Sequence, residues 1–330
     1  MSSSDGRSID EIINQATEAA KQRSSTPRRS DSTYQRSETF QQRSRAVTDK
    51  CTRITELDIK VSCQDLQTLG SNSRPKRTAG RKTENVWENN TIYYYFEPYL
   101  FSSAEKQVID SAIQEWQKYT CLRFELVEED DESVDKLLFT DGCLYGAKDC
   151  GCWSYVGRQG GTQEISLSYG LRGCVNKRVV VHELGHTIGL HHEQSRPDRD
   201  DYVSIIEENM KDKTSVEVNF RKLTWNDVIN TSLPYDFTSV MHYSQFAFAK
   251  GEYPTIRTAE PKYQDVIGKT EQLSCLDINT VNFMYGCKMC SGTEVVNRIA
   301  NIQFMSNIGN VVQVCCHSEQ NITLNSRRKS

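Results

Sequence analysis

The stretch HELGHTIGLHHEQSRPDRD, residues 182–200, constrains this chain more than any other. It carries the pattern His-Glu-x-x-His-x-x-Gly-x-x-His, with His182, Glu183, His186, Gly189 and His192 in the fixed places. His182 and His186 are four residues apart, so a helix puts both imidazoles on one face, where they can share a metal ion. Glu183 follows the first of them and can reach a water on that metal as general base. Gly189 accepts positive φ, so the helix can stop there and the chain can turn sharply. The turn returns His192 as a third ligand. Three protein ligands leave one position open for water, which is the catalytic form of a zinc site rather than the closed structural form. A bare HExxH recurs by chance, but the eleven-residue form with the glycine and third histidine is far more specific. His191 breaks the register and reads as a neighbour of the ligands.

A second anchor follows at Ser239-Val240-Met241-His242-Tyr243. Alone it is an apolar run ending in polar aromatics, and Met241 could be plain core. After the long zinc motif it reads as a Met-turn, the tight turn beneath the metal of metzincin proteases.

With HELGHTIGLHHEQSRPDRD and YDFTSVMHY both present, the chain resembles the astacin family of zinc metalloendopeptidases. The resemblance runs from about Val86 to Cys287 and takes in GCWSYVGRQGG (151–161) and MYGC (284–287). CGCWSYVGRQGG, the RPDRD run and EPKYQDVIG (260–268) are most similar to the tolloid and bone-morphogenetic-protein-1 branch. The resemblance implies an α+β metzincin fold. Its upper half holds a twisted, mainly antiparallel sheet and long helices; its lower half is mostly irregular, with the Met-turn and a C-terminal helix. One Zn2+ lies in the cleft between, on His182, His186 and His192.

The same resemblance assigns further roles. Tyr243 corresponds to a tyrosine that can ligate zinc and swing to stabilise the oxyanion. Glu193 is expected to meet the buried new N-terminus of the mature chain. Cys121 pairs with Cys287, and Cys174 with Cys152 or Cys150. The 163–167 segment becomes an edge strand that pairs with extended substrate, a β-augmentation mode. Tolloid relatives place an arginine where Thr270 stands here, favouring acidic residues after the cut; Lys269 is the nearest substitute.

The rest of the chain sets limits. Across 330 residues it is 37% hydrophobic and 25% charged, which is ordinary for a globular protein. No run of 18 apolar residues suggests a membrane span. The opening MSSSDGRSIDEIINQ lacks the apolar core of a signal peptide. Twelve cysteines without a CxxC…CxxC grammar nevertheless indicate disulfides and an oxidising, extracellular compartment. Residues 1–77 hold 14 Lys and Arg against 10 Asp and Glu, while the remainder holds 26 against 34. A polar basic leader before an acidic body argues against nucleic-acid binding.

Three regions follow. Residues 1–77 read as a leader and propeptide, polar and disordered over most of 1–50, with one short helix at 8–22. Arg74-Pro75-Lys76-Arg77 suits a furin-like activating protease, so cleavage is expected after Arg77. Family propeptides cap the zinc with an aspartate from an F-x-G-D segment, which this chain lacks; Asp58 and Asp65 are the candidates. Cys63 could instead offer a thiolate or pair with Cys51, and the disulfide is preferred. Residues 78–287 form the catalytic domain and 288–330 a short cysteine-containing tail. Strands are expected at 91–96, 122–127, 136–139 and 163–167, and helices at 103–119 and 274–285, with Ser274 and Asp277 making a box-like start. Asn89, Asn230 and Asn321 head glycosylation sequons. The expected function is a secreted zinc endopeptidase acting on protein and peptide substrates. The alternative is a catalytically silent binding or matrix protein on the same scaffold.

Overall fold

A computed structural model describes residues 52–54, 58–62 and 85–287, with gaps at 146–149, 169–172, 212–216, 218 and 230. The leader helix, Asp65, the Cys51–Cys63 pairing, Arg77, Asn230, Asn321 and the 288–330 tail lie outside the described residues. The upper half is a seven-stranded sheet in the order β1-β2-β6-β7-β5-β3-β4. Its strands are β1 (Thr52–Ile54), β2 (Ile59–Ser62), β3 (Thr91–Phe96), β4 (Arg123–Leu126), β5 (Lys136–Thr140), β6 (Cys152–Tyr155) and β7 (Thr162–Leu167).

Two helices pack on one face of this sheet. Helix α1 (Ser103–Tyr119) starts at a capping box: Ser102 Oγ accepts from the Glu105 amide at 3.3 Å, and the Glu105 carboxylate accepts from the Ser102 amide at 2.8 Å. Ile109, Ala112, Ile113 and Trp116 recur at helical spacing and are buried. Helix α2 (Lys177–Ile188) starts where the Asn176 side chain accepts from the Arg178 amide. The indole of Trp116 donates to the Val181 carbonyl at 3.1 Å and ties the helices together.

The metzincin architecture holds, but one detail of the expectation is corrected. The sheet is mixed and largely parallel rather than mainly antiparallel. The β3–β4, β3–β5, β5–β7 and β2–β6 pairs are parallel; β6–β7 and β1–β2 are antiparallel. The 17-residue helix between β3 and β4 is a long crossover, which parallel neighbours need and a hairpin lacks. A second correction follows from strand order. The 163–167 strand is interior, between β6 and β5; the edges of the described sheet are β1 and β4, and without β1 and β2 they would be β6 and β4.

The lower half is mostly irregular, as expected. It holds the short antiparallel pair β8 (Val203–Ile205) and β9 (Ile256–Thr258) and ends in α3 (Cys275–Met284). Its own core gathers Phe220, Tyr235, Phe237, Tyr243, Ile256 and Ile267. Both ends of the domain clamp the end of α2. Trp87 Nε1 donates to the Thr187 carbonyl at 2.8 Å, and Tyr285 Oη donates to the Ile188 carbonyl at 2.7 Å. Disulfides join Cys121 to Cys287, Cys152 to Cys174 and Cys143 to Cys150. Cys275 is also disulfide-bonded.

Candidate active site

Helix α2 delivers the first two histidines of the motif and Glu183. His182, Glu183 and His186 are all buried. At Gly189 the backbone takes φ +121°, and its amide turns back to the carbonyls of Gly185 and His186. Left-handed backbone of this kind suits glycine. A Cβ there would also come within 2.9 Å of Met284 Cε. The turn swings His192 into the group, where its ring lies 4.7 Å from His186 and 5.5 Å from His182, centroid to centroid. His191 is not part of the cluster.

The imidazoles are fixed by their outer nitrogens. His182 Nδ1 donates to the Val240 carbonyl at 2.7 Å, and His186 Nδ1 donates to the Leu190 carbonyl at 2.8 Å. Carbonyls only accept, so in the neutral rings the inner Nε2 atoms carry lone pairs. Those atoms converge with the carboxylate of Asp58, and all four ligand atoms lie within 4.8 Å of one another. Asp58 is fully buried. Its oxygens stand 2.9 Å from His182 Nε2, 2.9 Å from His192 Nε2 and 3.6 Å from His186 Nε2.

This donor set fits a metal. Burial pushes the His186 pKa down to about 3, so the ring is neutral. Its Nε2 is buried with no hydrogen-bond partner while facing a carboxylate. Lone pairs aimed at one another in a buried site call for a cation between them. Three imidazoles and one carboxylate at this spacing suit Zn2+. Burial would raise the Asp58 pKa, but the facing His192, His182 and His186 hold it well below the usual carboxylate range.

Glu183 lies beside the cluster, not in it. Both its carboxylate oxygens are buried without hydrogen-bond partners. Burial, then the charge of Asp58, holds its pKa well above normal. Such a carboxyl is poised to accept and return a proton.

The Met-turn runs directly beneath. Met241 packs its Sδ where Gly185 has no side chain; a Cβ on Gly185 would fall 2.6 Å from that sulfur. Asp277, in the first turn of α3, holds the turn from the other side. Its carboxylate accepts from Ser239 Oγ at 2.6 Å and from the amides of Val240 and Ser274 at 3.0 Å. Burial, then the neighbouring Asp236, pushes the Asp277 pKa up to about 7. Tyr243 is buried, with its ring 4.4 Å from that of His192 and its amide bonded to Gln194 Oε1 at 3.0 Å.

Glu193 accepts from the Asp236 amide at 2.8 Å and pairs with Arg196 at 3.2 Å. The expected mature N-terminus lies outside the described residues. Asn89 is exposed at φ 53°, Lys269 is exposed, and Thr270 is half-buried.

The three histidines and Glu183, named from the sequence pattern, are the residues that the structure brings together. Asp58 stands in the sequence only as one of two candidates, because the expected F-x-G-D is missing. Gly185 is not singled out by the sequence reading, although a glycine inside a helical zinc motif is itself a signal of close packing. Asp277 reads as a cap, and its grip on the Met-turn emerges only in the structure.

Comparison with known proteins agrees with this geometry. The family model for the astacin peptidases matches residues 79–286. Blastula protease 10 of Paracentrotus lividus is 38% identical over 225 residues, covering 67% of this chain and 36% of that protein. Bone morphogenetic protein 1 of Xenopus laevis is 38% identical over 224 residues, covering 66% and 29%. The chain thus spans about a third of the length of these relatives. In structure it is similar to high choriolytic enzyme 1, a hatching enzyme zinc-protease of the medaka Oryzias latipes. The TM-score is 0.53 at 31% identity, covering 62% of this chain and 96% of that one. The chain belongs to the astacin family of zinc metalloendopeptidases and, within it, is similar to the tolloid and bone-morphogenetic-protein-1 branch.

Proposed function

We propose that this chain is a secreted zinc endopeptidase, made as a zymogen, that hydrolyses peptide bonds in extended polypeptides. The observation that carries the reading is the pairing of a converged three-histidine cluster with a buried, unpartnered Glu183 beside it. A binding scaffold has no use for that carboxylate, and burying it unpaired is costly.

His182, His186 and His192 would hold the zinc. When bound, zinc makes a water acidic enough to attack near neutral pH and polarises the scissile carbonyl. Glu183 takes the proton of the attacking water and passes it to the leaving amine. Tyr243, packed on His192, donates its hydroxyl to the developing oxyanion. Substrate lies extended along the β6 edge and gains backbone hydrogen bonds there.

Latency rests on Asp58. Its carboxylate stands among the three imidazoles, where it would exclude an attacking water, and its carbonyl accepts from the Ser154 amide at 2.9 Å. The following residues pair parallel with β6, Ile59 opposite Ser154 and Lys60 opposite Tyr155, so the propeptide covers the edge that substrate needs. Cleavage after Arg77 by a furin-like protease frees Thr78, whose new ammonium group pairs with Glu193. Glycans at Asn89, Asn230 and Asn321 accompany an extracellular location. Among the described residues no helix is long and apolar enough to cross a membrane.

The test compares the uncut chain with the chain cut after Arg77 on a mixed peptide library. The cut form should cleave and the uncut form should be silent. Equal activity of the two forms would remove the zymogen reading and leave the protease.

A further inference from the structure

Lys60 is an unusual lysine. It is only 7% exposed, whereas lysines are almost never buried without a partner. Its ammonium sits 3.4 Å from the Glu164 carboxylate. It also lies over the ring of Trp153, 4.0 Å from the centroid, and within 5.8 Å of the Tyr155 ring. This is a cation held by a carboxylate and by aromatic faces, two mechanisms that reinforce each other away from water.

The strand registers show why the three walls meet. Lys60 is opposite Tyr155, and the Trp153–Ser166 and Ser154–Ile165 pairs put Tyr155 opposite Glu164. Lys60, Tyr155 and Glu164 thus form one row across β2, β6 and β7, with Trp153 next along β6 on the same face. Ile165 and the Ser154 hydroxyl, which bonds Thr187 of α2, point to the other face. Two of the walls belong to β6, which becomes an edge strand once β1 and β2 leave, and the third to its neighbour. All three stay with the catalytic domain when the propeptide leaves. The receptacle also lies two residues along the strand from Asp58, which is seated among the three histidines, so it falls inside the cleft, roughly 6–7 Å from that residue along an extended chain.

We infer that Trp153, Tyr155 and Glu164 form a substrate subsite for a lysine or arginine side chain, and that propeptide Lys60 fills it in the zymogen. The inference rests on the proposal that the propeptide is removed and that substrate takes the β6 edge. Departure of Lys60 strips Glu164 of its ion-pair partner and uncovers the aromatic walls. A basic side chain on an incoming extended peptide restores both interactions. An acidic one meets Glu164 and is rejected.

Two measurements test this. First, the cut chain and its Glu164→Gln and Glu164→Lys variants are given the mixed peptide library. Cleaved peptides should be enriched about 5- to 20-fold in Lys or Arg at one position. Glu164→Gln should flatten that preference and Glu164→Lys should turn it toward Asp and Glu, while the residues favoured elsewhere stay the same. Cleavage with no basic preference, or a preference untouched by both variants, overturns the subsite and leaves the endopeptidase standing. Second, binding needs no turnover. Synthetic peptides of residues 54–62, with Lys60 or with Lys60→Glu, are titrated into the cut Glu183→Ala protein and followed by tryptophan fluorescence. The lysine peptide should bind at least 10-fold tighter, and Glu164→Gln should erase most of the difference. Equal affinities overturn the inference even if no library peptide is cleaved, an outcome that would instead sink the enzyme reading.

Discussion

His182 Nδ1 donates to the backbone carbonyl of Val240 at 2.7 Å, across 58 residues of sequence. His182 and the residue before Met241 are therefore one mechanical unit. The bond fixes the tautomer that leaves Nε2 free for the metal. The same Val240 amide bonds Asp277, so the orientation of His182 is set through the Met-turn by the first turn of α3.

That link has a pH dependence. Asp277 has its pKa raised to about 7 in the fold, against an ordinary value of 3.8. A carboxyl that keeps its proton in the fold and loses it on unfolding stabilises most at low pH. Its contribution is whole below about 4 and is lost as pH rises through 7. Thermal stability is expected to decline across this window. In Asp277→Asn the amide oxygen can accept the two backbone amides while its NH2 faces Ser239, and the decline should flatten. An unchanged slope in the variant would show that Asp277 is not its source.

Asp58 is expected to hold the uncut chain silent. Replacing it by alanine removes a buried carboxylate facing three imidazoles. Breaking one side of such a buried cluster is worth roughly 3–5 kcal/mol. Peptide cleavage by uncut Asp58→Ala should therefore rise on the order of 10²-fold. A variant as silent as the parent would assign latency to the strand pairing alone.

Tyr243→Phe keeps the ring that packs on His192 and removes the hydroxyl. Removing one donor to a developing oxyanion costs on the order of 10² to 10³ in kcat. KM and zinc content should hardly change. A loss of zinc instead would make Tyr243 a structural support of His192.

The Cys121–Cys287 bridge closes a span of 166 residues between the start of β4 and the end of α3. The chain-entropy account gives such a loop on the order of 5 kcal/mol. Cys121→Ser with Cys287→Ser should lower the unfolding free energy by several kcal/mol in chemical denaturation. A loss below about 1 kcal/mol would mean the ends of the domain hold together without it.

What is legible in the sequence follows from local rules. The capping boxes at Ser102 and Ser274 and the apolar spacing of Ile109, Ile113 and Trp116 mark their helices directly. The zinc motif fixes its own geometry, because His182 and His186 share a helix face and Gly189 ends it. Strand order is not legible. Alternation in 163–167 says that one face is buried, but it does not name neighbours, so it cannot show that the edge belongs to β6 rather than β7. Asp58 is hard to see for a related reason. Its role depends on a long-range pairing of Ile59 and Lys60 with β6, and no local pattern encodes it. Glu164 likewise reads as one more polar residue on a strand until Lys60 is placed against it.

The most direct measurement is hydrolysis of a mixed peptide library by the chain cut after Arg77, with a zinc chelator and Glu183→Ala as controls. Cleavage should stop with the chelator and return with added zinc. Glu183→Ala should bind zinc normally and lose at least about 10²-fold in rate. A folded, zinc-loaded cut chain that cleaves nothing would contradict the account and point to a binding protein on a protease scaffold.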